Sequence, residues 1–250
     1  MKAQPLLSVV IPIYNEERTI ERLFERVDRV PIRKEIILID DGSTDRTREI
    51  IMRQLLPGTR RVKLVSHPTN LGKGSAIRTG LKEVAGDIVL IQDADLEYAP
   101  EEYPRLVAPI LADEAEVVFG TRYCDLNKWR FVWRWLVNRM TGQCDEIRYL
   151  HHFLGIQILN AMVCILYQAR LTDEATCYKV FKTEFIRSLD LKCRGFEFCP
   201  EVTAKIRKKG IRIHEVPITY HPRSHKEGKK LNWKHGFEAV WTLIKYRFVD

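Results

Sequence analysis

The 250-residue chain carries 41 Lys+Arg against 33 Asp+Glu and is 45% hydrophobic, which excludes intrinsic disorder and allows one large domain with a substantial core. No run of about 18 apolar residues occurs, so no segment is expected to span a bilayer. No apolar leader core precedes the first strand-like run, which points to a cytoplasmic chain. The net charge of +8 sits at one end: residues 205–250 hold 12 Lys+Arg and 4 Asp+Glu, whereas residues 1–204 balance at 29 of each. An anionic partner is therefore expected near the C-terminus.

In chain order, strand-like apolar runs at 7–13, 35–39, 62–65, 88–91 and 117–119 alternate with helix-like stretches at 17–30, 44–55, 75–84 and 101–111. Continuous Val/Ile/Leu runs joined by amphipathic stretches predict a mostly parallel sheet covered on both faces, with right-handed crossovers. Asn15 and Ser43 are expected as helix N-caps, and Gly86-Asp87 as the break before the fourth strand. Beyond Arg122 the texture changes. Residues 123–152 are rich in Trp129, Trp133, Trp135 and arginines, and 153–169 are apolar apart from Gln157, Asn160 and Gln168. A mixed segment runs to Lys209, 211–216 and 218–220 read as a strand pair, and 233–248 reads as amphipathic. A soft boundary falls near residue 122, with one core shared by 1–122 and 123–250. The six cysteines form no Cys-x-x-Cys pair and are read as reduced, mostly structural thiols.

Each strand of the first half ends in polar residues: Tyr14-Asn15-Glu16, Asp40-Asp41, Asp93-Ala94-Asp95 and Thr121-Arg122. In a parallel sheet these ends lie along one edge, where open α/β folds bind ligands. Acidic groups converging there repel one another unless a cation shares the site. Asp93 and Asp95, just past a strand, can aim at one ion, and carboxylates suit Mg2+ or Mn2+; Glu97 offers a third oxygen. An Asp-x-Asp also suits a capping turn, and Asp40-Asp41-Gly42-Ser43 a plain strand-to-helix turn, but their placement favours chemistry. Asn70-Leu71-Gly72-Lys73-Gly74 puts a lysine at a helix start, a contact for phosphate or carboxylate. It is not a Walker loop, because His67 stands where Gly is needed and Gly74 replaces Ser/Thr. No Gly-x-Gly-x-x-Gly follows the first strand, which disfavours a dinucleotide dehydrogenase.

Ser8-Val9-Val10-Ile11-Pro12-Ile13-Tyr14-Asn15-Glu16, Ile39-Asp40-Asp41-Gly42-Ser43-Thr44-Asp45, Gly72-Lys73-Gly74 and Gln92-Asp93-Ala94-Asp95-Leu96-Glu97 together resemble family 2 glycosyltransferases of the GT-A fold. In the second half, Thr172-Asp173-Glu174-Ala175-Thr176-Cys177-Tyr178-Lys179 and Gly195-Phe196-Glu197-Phe198 resemble the dolichol-phosphate mannosyltransferase-like branch. The resemblance implies an α/β GT-A domain: a nucleotide-sugar-binding half over 1–122 and an acceptor- and membrane-facing half over 123–250. It implies that Pro12, Tyr14 and Glu16 line the nucleotide pocket and that Asp40 or Asp41 reads the base or ribose. Lys73 and Ala94 would border the donor. Asp93 and Asp95, with Glu97 where relatives often carry Gln, would hold Mg2+ or Mn2+ on the donor diphosphate. Arg122, in a Gly-Thr-Arg where relatives often have Gly-Ser-Arg, would face the phosphates of donor or acceptor.

The implied reaction is metal-dependent, inverting transfer of a sugar from a GDP- or UDP-linked donor. Its acceptor decides whether a base is needed: a phosphate is already anionic, whereas a hydroxyl must be deprotonated. Asp173, Glu174, Glu197 and Glu201 are the acids available, and each is equally at home on a helix surface or in a packing network. The basic segment, with Arg223, Lys226, Lys229 and Lys230, favours a polyprenyl phosphate held by Arg122, Arg223 and Lys229 over a saccharide hydroxyl of a glycan or cell-envelope polymer. Membrane contact would then be peripheral, on the inner face. The segment 129–140, with Trp129, Trp133 and Trp135 among Arg130, Arg134 and Arg139, suits a headgroup layer and equally a core cap. Intact Asp93, Asp95 and Lys73 argue against a non-catalytic sensor. No helix-turn-helix, zinc or RNP pattern supports nucleic acid as a partner.

Overall fold

Val, Ile and Leu fill β1 (Leu7–Ile13), β2 (Lys34–Asp40) and β4 (Ile88–Ile91), and nearly every residue in them is buried. β-Branched side chains suit a pleat packed on both faces, so these runs settle in the middle of a sheet. The computed structural model describes residues 5–57, 61–123, 150–221 and 233–249. Within them β1, β2 and β4 join β3 (Val62–Ser66), β5 (Val117–Thr121), β6 (Lys179–Lys182) and β7 (His214–Pro217) in one sheet, ordered β3-β2-β1-β4-β6-β5-β7. Every pairing is parallel except those of β6, which runs antiparallel to both β4 and β5.

Alternate residues feed two cores, as strand geometry requires. Val9, Ile11, Leu38 and Leu90 pack with α1 (Ile20–Arg29) and α4 (Tyr103–Leu111). Val10, Ile37, Ile39, Val89 and Ile91 face a second layer of α3 (Lys73–Glu83), α5 (Leu150–Tyr167), α7 (Phe198–Lys208) and α8 (Trp233–Phe248). The short α2 (Thr47–Ile50) and α6 (Thr183–Arg187) complete the helices. Because β6 lies beyond residue 122 in the chain yet sits between β4 and β5, the sheet is continuous across the boundary expected there.

Several local expectations are corrected. The helix read over 44–55 is α2 followed by a π-helical turn, Ile51–Leu55. The strand pair read over 211–220 is a single strand, β7; Pro217 alone separates the two apolar runs, too little chain for a hairpin turn. Asn15 and Ser43 cap no helix. The Asn15 amide, at φ +52°, donates to Ser43 Oγ at 3.0 Å, and Asn15 Oδ1 accepts the Thr44 amide at 2.8 Å, tying the ends of β1 and β2 together. The described cysteines Cys164, Cys177, Cys193 and Cys199 are free thiols.

Gly80 shows how closely α3 lies on the sheet: a Cβ there would meet Val10 Cγ1 at 2.4 Å and Ile39 Cγ1 at 3.3 Å. Gly155 on α5 has open space around it. Gly80→Ala is expected to destabilise by about 1–3 kcal/mol through overpacking, and Gly155→Ala to stabilise by up to about 1 kcal/mol through helix propensity. Urea unfolding of the two variants checks the contrast.

Candidate active site at the carboxyl edge of the sheet

The end of β4 carries the acidic turn. Gln92 is fully buried; its Oε1 accepts the hydroxyls of Tyr103 at 2.7 Å and Tyr178 at 2.8 Å, and its Nε2 donates to the Asp93 carbonyl at 2.9 Å. The backbone that launches Asp93 and Asp95 is thereby pinned from the core. Both aspartates are half-buried and Ala94 between them is buried. Asp95 Oδ1 accepts the Glu97 amide at 3.1 Å, and Leu96 takes a left-handed φ of +63° to close the turn. Glu97 is buried, and its Oε2 accepts the Tyr220 hydroxyl at 2.7 Å.

Lys73 supplies the cation that the converging carboxylates require. Its Nζ lies 2.6 Å from Asp93 Oδ1 and 3.2 Å from Cys177 Sγ, above the Phe196 ring. Burial alone would depress its pKa, but Asp93 and the thiols of Cys177 and Cys199 outweigh burial and hold the ammonium well above its ordinary value. Gly72, at φ +96°, lets the chain pass within reach of the Arg194 carbonyl, 2.4 Å from where a Cβ would sit. The first amides of α3 are therefore not offered to a phosphate: Gly74 N donates to Gly195 O at 3.0 Å and Ser75 N to Arg194 O at 2.9 Å. Lysine side chain, not helix terminus, is what reaches the site.

Pro12 lies beyond the last residue of β1 paired with β4, and Pro12 and Tyr14 are half-buried at the same edge. Glu16 is buried, its carboxylate accepting Thr19 Oγ1 at 2.7 Å. Asp40 Oδ1 accepts the Ser43 amide at 3.0 Å. Asp41 is more heavily engaged: its oxygens take the amides of Leu71 at 2.9 Å and Gly72 at 2.8 Å and lie 2.7 Å from His67 Nδ1. Asp41 thus builds the loop that delivers Lys73.

On the other side, the end of β5 places Arg122. Its Nε and Nη2 fork onto Asp173 at 2.6 and 2.7 Å, and its guanidinium stacks on the rings of Tyr220 and Tyr123 at 4.9 and 5.5 Å. Burial opposes the charge, but Asp173 more than restores it, so Arg122 stays ionised. The loop bearing Asp173 is fixed by Glu215, whose Oε1 accepts Thr172 N at 2.9 Å and Asp173 N at 3.1 Å, and by Asn160 of α5, bonded to the Thr172 carbonyl and the Glu174 amide.

Of the four acids considered as a base, Asp173, Glu197 and Glu201 are committed to structural partners, and Glu174 is buried with its Oε2 left without a hydrogen-bond partner among the described residues. Asp173 is spent on Arg122. Glu174 is fully buried against Thr203, and burial raises its pKa. Glu197 accepts the amides of Arg194 at 2.6 Å and Gly195 at 2.9 Å, shaping the loop that packs on Gly72. Glu201, buried, accepts the amides of Lys192 and Cys193 and pairs with Lys205 at 2.8 Å.

Asp93 and Asp95 are hard oxygen donors, and Lys73 on Asp93 shows that the turn favours a cation, so the pair fits Mg2+ or Mn2+. Among the described residues no three His, Cys, Asp or Glu side chains converge on one metal position, and Glu97 Oε2 accepts the Tyr220 hydroxyl. Arg223, Lys226, Lys229, Lys230 and the Trp/Arg segment 129–140 lie outside the described residues. Sequence reasoning missed Tyr220, Cys177, His67 and Glu215. They lie on other strands or loops, and only the fold brings them to the strand ends.

Two outcomes follow from this geometry. Asp173→Asn leaves a buried guanidinium without its counter-charge and is expected to cost about 3–5 kcal/mol in urea unfolding, with Arg122→Met in the same chain recovering part of the loss. Glu174 has a raised folded pKa, so its contribution to stability is complete below its ordinary pKa of 4.5 and is lost as pH rises through the raised value. Relative to wild type, Glu174→Gln should therefore gain stability as pH rises above 4.5; unfolding curves that shift in parallel would contradict this.

A family model described as glycosyl transferase family 2 matches residues 8–162. The chain is 29% identical over 248 residues to a dolichol-phosphate mannosyltransferase of Pyrococcus furiosus, covering 96% of this chain and 64% of that protein. It is 30% identical over 234 residues to an undecaprenyl-phosphate 4-deoxy-4-formamido-L-arabinose transferase of Edwardsiella ictaluri, covering 91% and 64%. With a UDP-N-acetylglucosamine–dolichyl-phosphate N-acetylglucosaminyltransferase of Methanococcus voltae it shares 26% identity, covering 97% and 96%. The chain thus spans just under two thirds of the length of the first two relatives. Glucosyl-3-phosphoglycerate synthase of Mycobacterium tuberculosis, solved with Mn2+, UDP and phosphoglyceric acid, superposes with a TM-score of 0.70 at 20% identity, covering 98% of this chain and 80% of that one. The architecture is the GT-A fold, and with more than half of its residues inside the family model the chain belongs to glycosyl transferase family 2.

Proposed function

We propose that this chain transfers a sugar from a nucleotide-sugar to a polyprenyl phosphate at a membrane surface. One observation carries the choice of acceptor: among the described residues, each of the four second-half acids considered as a base for a hydroxyl acceptor (Asp173, Glu174, Glu197 and Glu201) is bound to an arginine, a lysine or backbone amides, or is sealed in the core. A phosphate needs no base. The relatives named for dolichyl and undecaprenyl phosphates support the same reading.

In this reading Asp93 and Asp95 hold Mg2+ or Mn2+, which when bound supplies Lewis-acid stabilisation of the departing nucleoside diphosphate. Lys73, kept protonated by its surroundings, adds a fixed positive charge on the same side. Pro12, Tyr14 and Asp40 border the nucleoside. Arg122, oriented by Asp173, faces the acceptor phosphate, whose oxygen attacks the anomeric carbon as the bond to the diphosphate oxygen breaks, with inversion.

The surface supports a lipid-borne acceptor. The outward positions of α5 (Leu154, Gly155, Ile158, Ala161, Cys164 and Ile165) carry no charge. Leu154, Ile158 and Ile165 with Phe237, Trp241 and Phe248 of the neighbouring α8 are 49% to 80% exposed. Lys234, Lys245 and Arg247 are exposed on α8 as well, with Glu238 the one exposed acid among the described α8 residues, a mixture of apolar and mostly basic groups that suits an anionic bilayer. His235 at the start of α8 stacks on Phe196, the ring under Lys73, so this surface adjoins the site. No helix of the described residues is long and apolar enough to cross a membrane; the contact proposed here is made by this exposed apolar and basic surface, on the cytoplasmic side.

Incubation with Mn2+, a panel of GDP- and UDP-sugars and a short polyprenyl phosphate should give a lipid-linked sugar. Asp95→Asn should lower kcat/KM by about 10²–10³, while Glu197→Gln stays within about threefold, because general-base catalysis would contribute about 10²–10⁴. A loss of that size at Glu197, with transfer to a saccharide hydroxyl, would favour the glycan-acceptor alternative instead. Phe237→Ser with Trp241→Ser should weaken sedimentation with phosphatidylglycerol vesicles about tenfold or more; unchanged sedimentation would remove the membrane surface from the proposal.

A further inference from the structure

We infer that Tyr220 is a positioning residue that couples the two charged sides of the cleft, so that a divalent ion with a nucleoside diphosphate on the acidic turn strengthens capture of a lipid phosphate beside Arg122. The inference rests on the function proposed above and adds a linkage between its two substrates.

Residues 218–221 are stitched to both sides, Ile218 to the strand before Arg122 and 219–221 to the acidic turn and the residues just after it. Ile218 N donates to the carbonyl of Thr121, the residue before Arg122, at 3.0 Å. Thr219 donates through both its amide and its hydroxyl to the Glu102 carboxylate at 3.1 Å, just past the acidic turn. Tyr220 forms a lone β-bridge to Tyr98, and His221 N donates to the Glu97 carbonyl at 2.9 Å. The Tyr220 side chain then touches both sides at once: its hydroxyl donates to Glu97 Oε2 at 2.7 Å while its ring lies 4.9 Å from the Arg122 guanidinium.

The arrangement is electrostatically consistent. The negative face of the phenol ring meets a cation, and its hydroxyl proton meets a carboxylate. A hydrogen bond to an ionised acceptor is short and directional, so a change in the Glu97 carboxylate is carried to the ring, and the ring is what Arg122 rests on. The turn itself contains a leucine in the left-handed region, Leu96 at φ +63°, a conformation that persists where surrounding contacts over-determine it. The bonds from 219–221 to Glu97, Tyr98 and Glu102 are such contacts. Linkage is reciprocal: if the donor side tightens the acceptor side, the acceptor side tightens the donor side by the same factor.

The test measures binding, not turnover. Mn2+ with GDP, and separately with UDP, is titrated into the full chain while free Mn2+ is read by EPR. A short polyprenyl phosphate is titrated calorimetrically with and without the Mn2+–nucleotide pair that binds. In wild type the pair should tighten lipid-phosphate binding about fivefold or more. Tyr220→Phe keeps the ring under Arg122 but loses the hydroxyl; it should bind both ligands with the enhancement reduced to within about twofold. Glu102→Ala, which releases Thr219 without touching Tyr220, should show an intermediate enhancement. Full enhancement in Tyr220→Phe, or none in wild type, overturns the inference while leaving the proposed function standing. A wild type that binds neither ligand overturns both.

Discussion

Lys73 reaches Asp93 at 2.6 Å in a setting that, by burial alone, would lower the pKa of the ammonium. That pair answers the basic difficulty of this edge of the sheet, where carboxylates from several strand ends crowd together. The polar structure around it is arranged to bring it about. Asp41 gathers the amides of Leu71 and Gly72, the glycines of 72–74 let α3 begin against the 193–195 loop, and Glu197 shapes that loop in turn. Acidic residues that look interchangeable in the sequence therefore divide into two kinds. Asp41, Asp173, Glu197 and Glu201 are consumed in holding backbone or cations. Asp93 and Asp95 are engaged too, by Lys73 and by the Glu97 amide, but on a half-buried turn at the sheet edge, where the metal of the proposed function would compete for their oxygens.

Much of this was legible in the residues. β1 and β4 begin and end where their apolar runs do, because strands buried on both faces tolerate few polar residues and change abruptly at their ends. The same abruptness exposed the aspartates after β4 and the Thr121-Arg122 step after β5. β6 was not legible: its four residues, Lys179–Lys182, include two lysines and show no alternation. Lys179 is buried only because its ammonium donates to the carbonyls of Glu174 and Thr176 and sits over the Phe119 ring. Partners of that kind are set by tertiary structure. Sequence alone likewise left all four candidate bases open, since the Arg122 side chain, the Thr203 hydroxyl and the amides of residues 192–195 decide their surroundings. Asn15 and Ser43 have the chemistry of caps, and the fold used that chemistry on each other's backbone instead.

The two sides of the cleft differ in how their charges are made permanent. Lys73 is held by a small set of groups on one side of the opening, and a competing cation on Asp93 would change its surroundings directly. Arg122 is forked onto a carboxylate with no exposed surface and flanked by two aromatic rings, so its charge is held before any ligand arrives. A preset guanidinium and a more responsive ammonium suit a site that must take one anionic group and let another leave.

The insertion of β6 between β4 and β5 has a consequence for how the chain is made. When a ribosome has released the first 178 residues, β4 and β5 still lack the neighbour they share, and each shows an open row of amides and carbonyls. Such edges recruit other strands. The sheet cannot close until Lys182 has been made, and β7 follows later still, so during synthesis the first half passes through a stage with two open strand edges, the feature most prone to pairing with other chains.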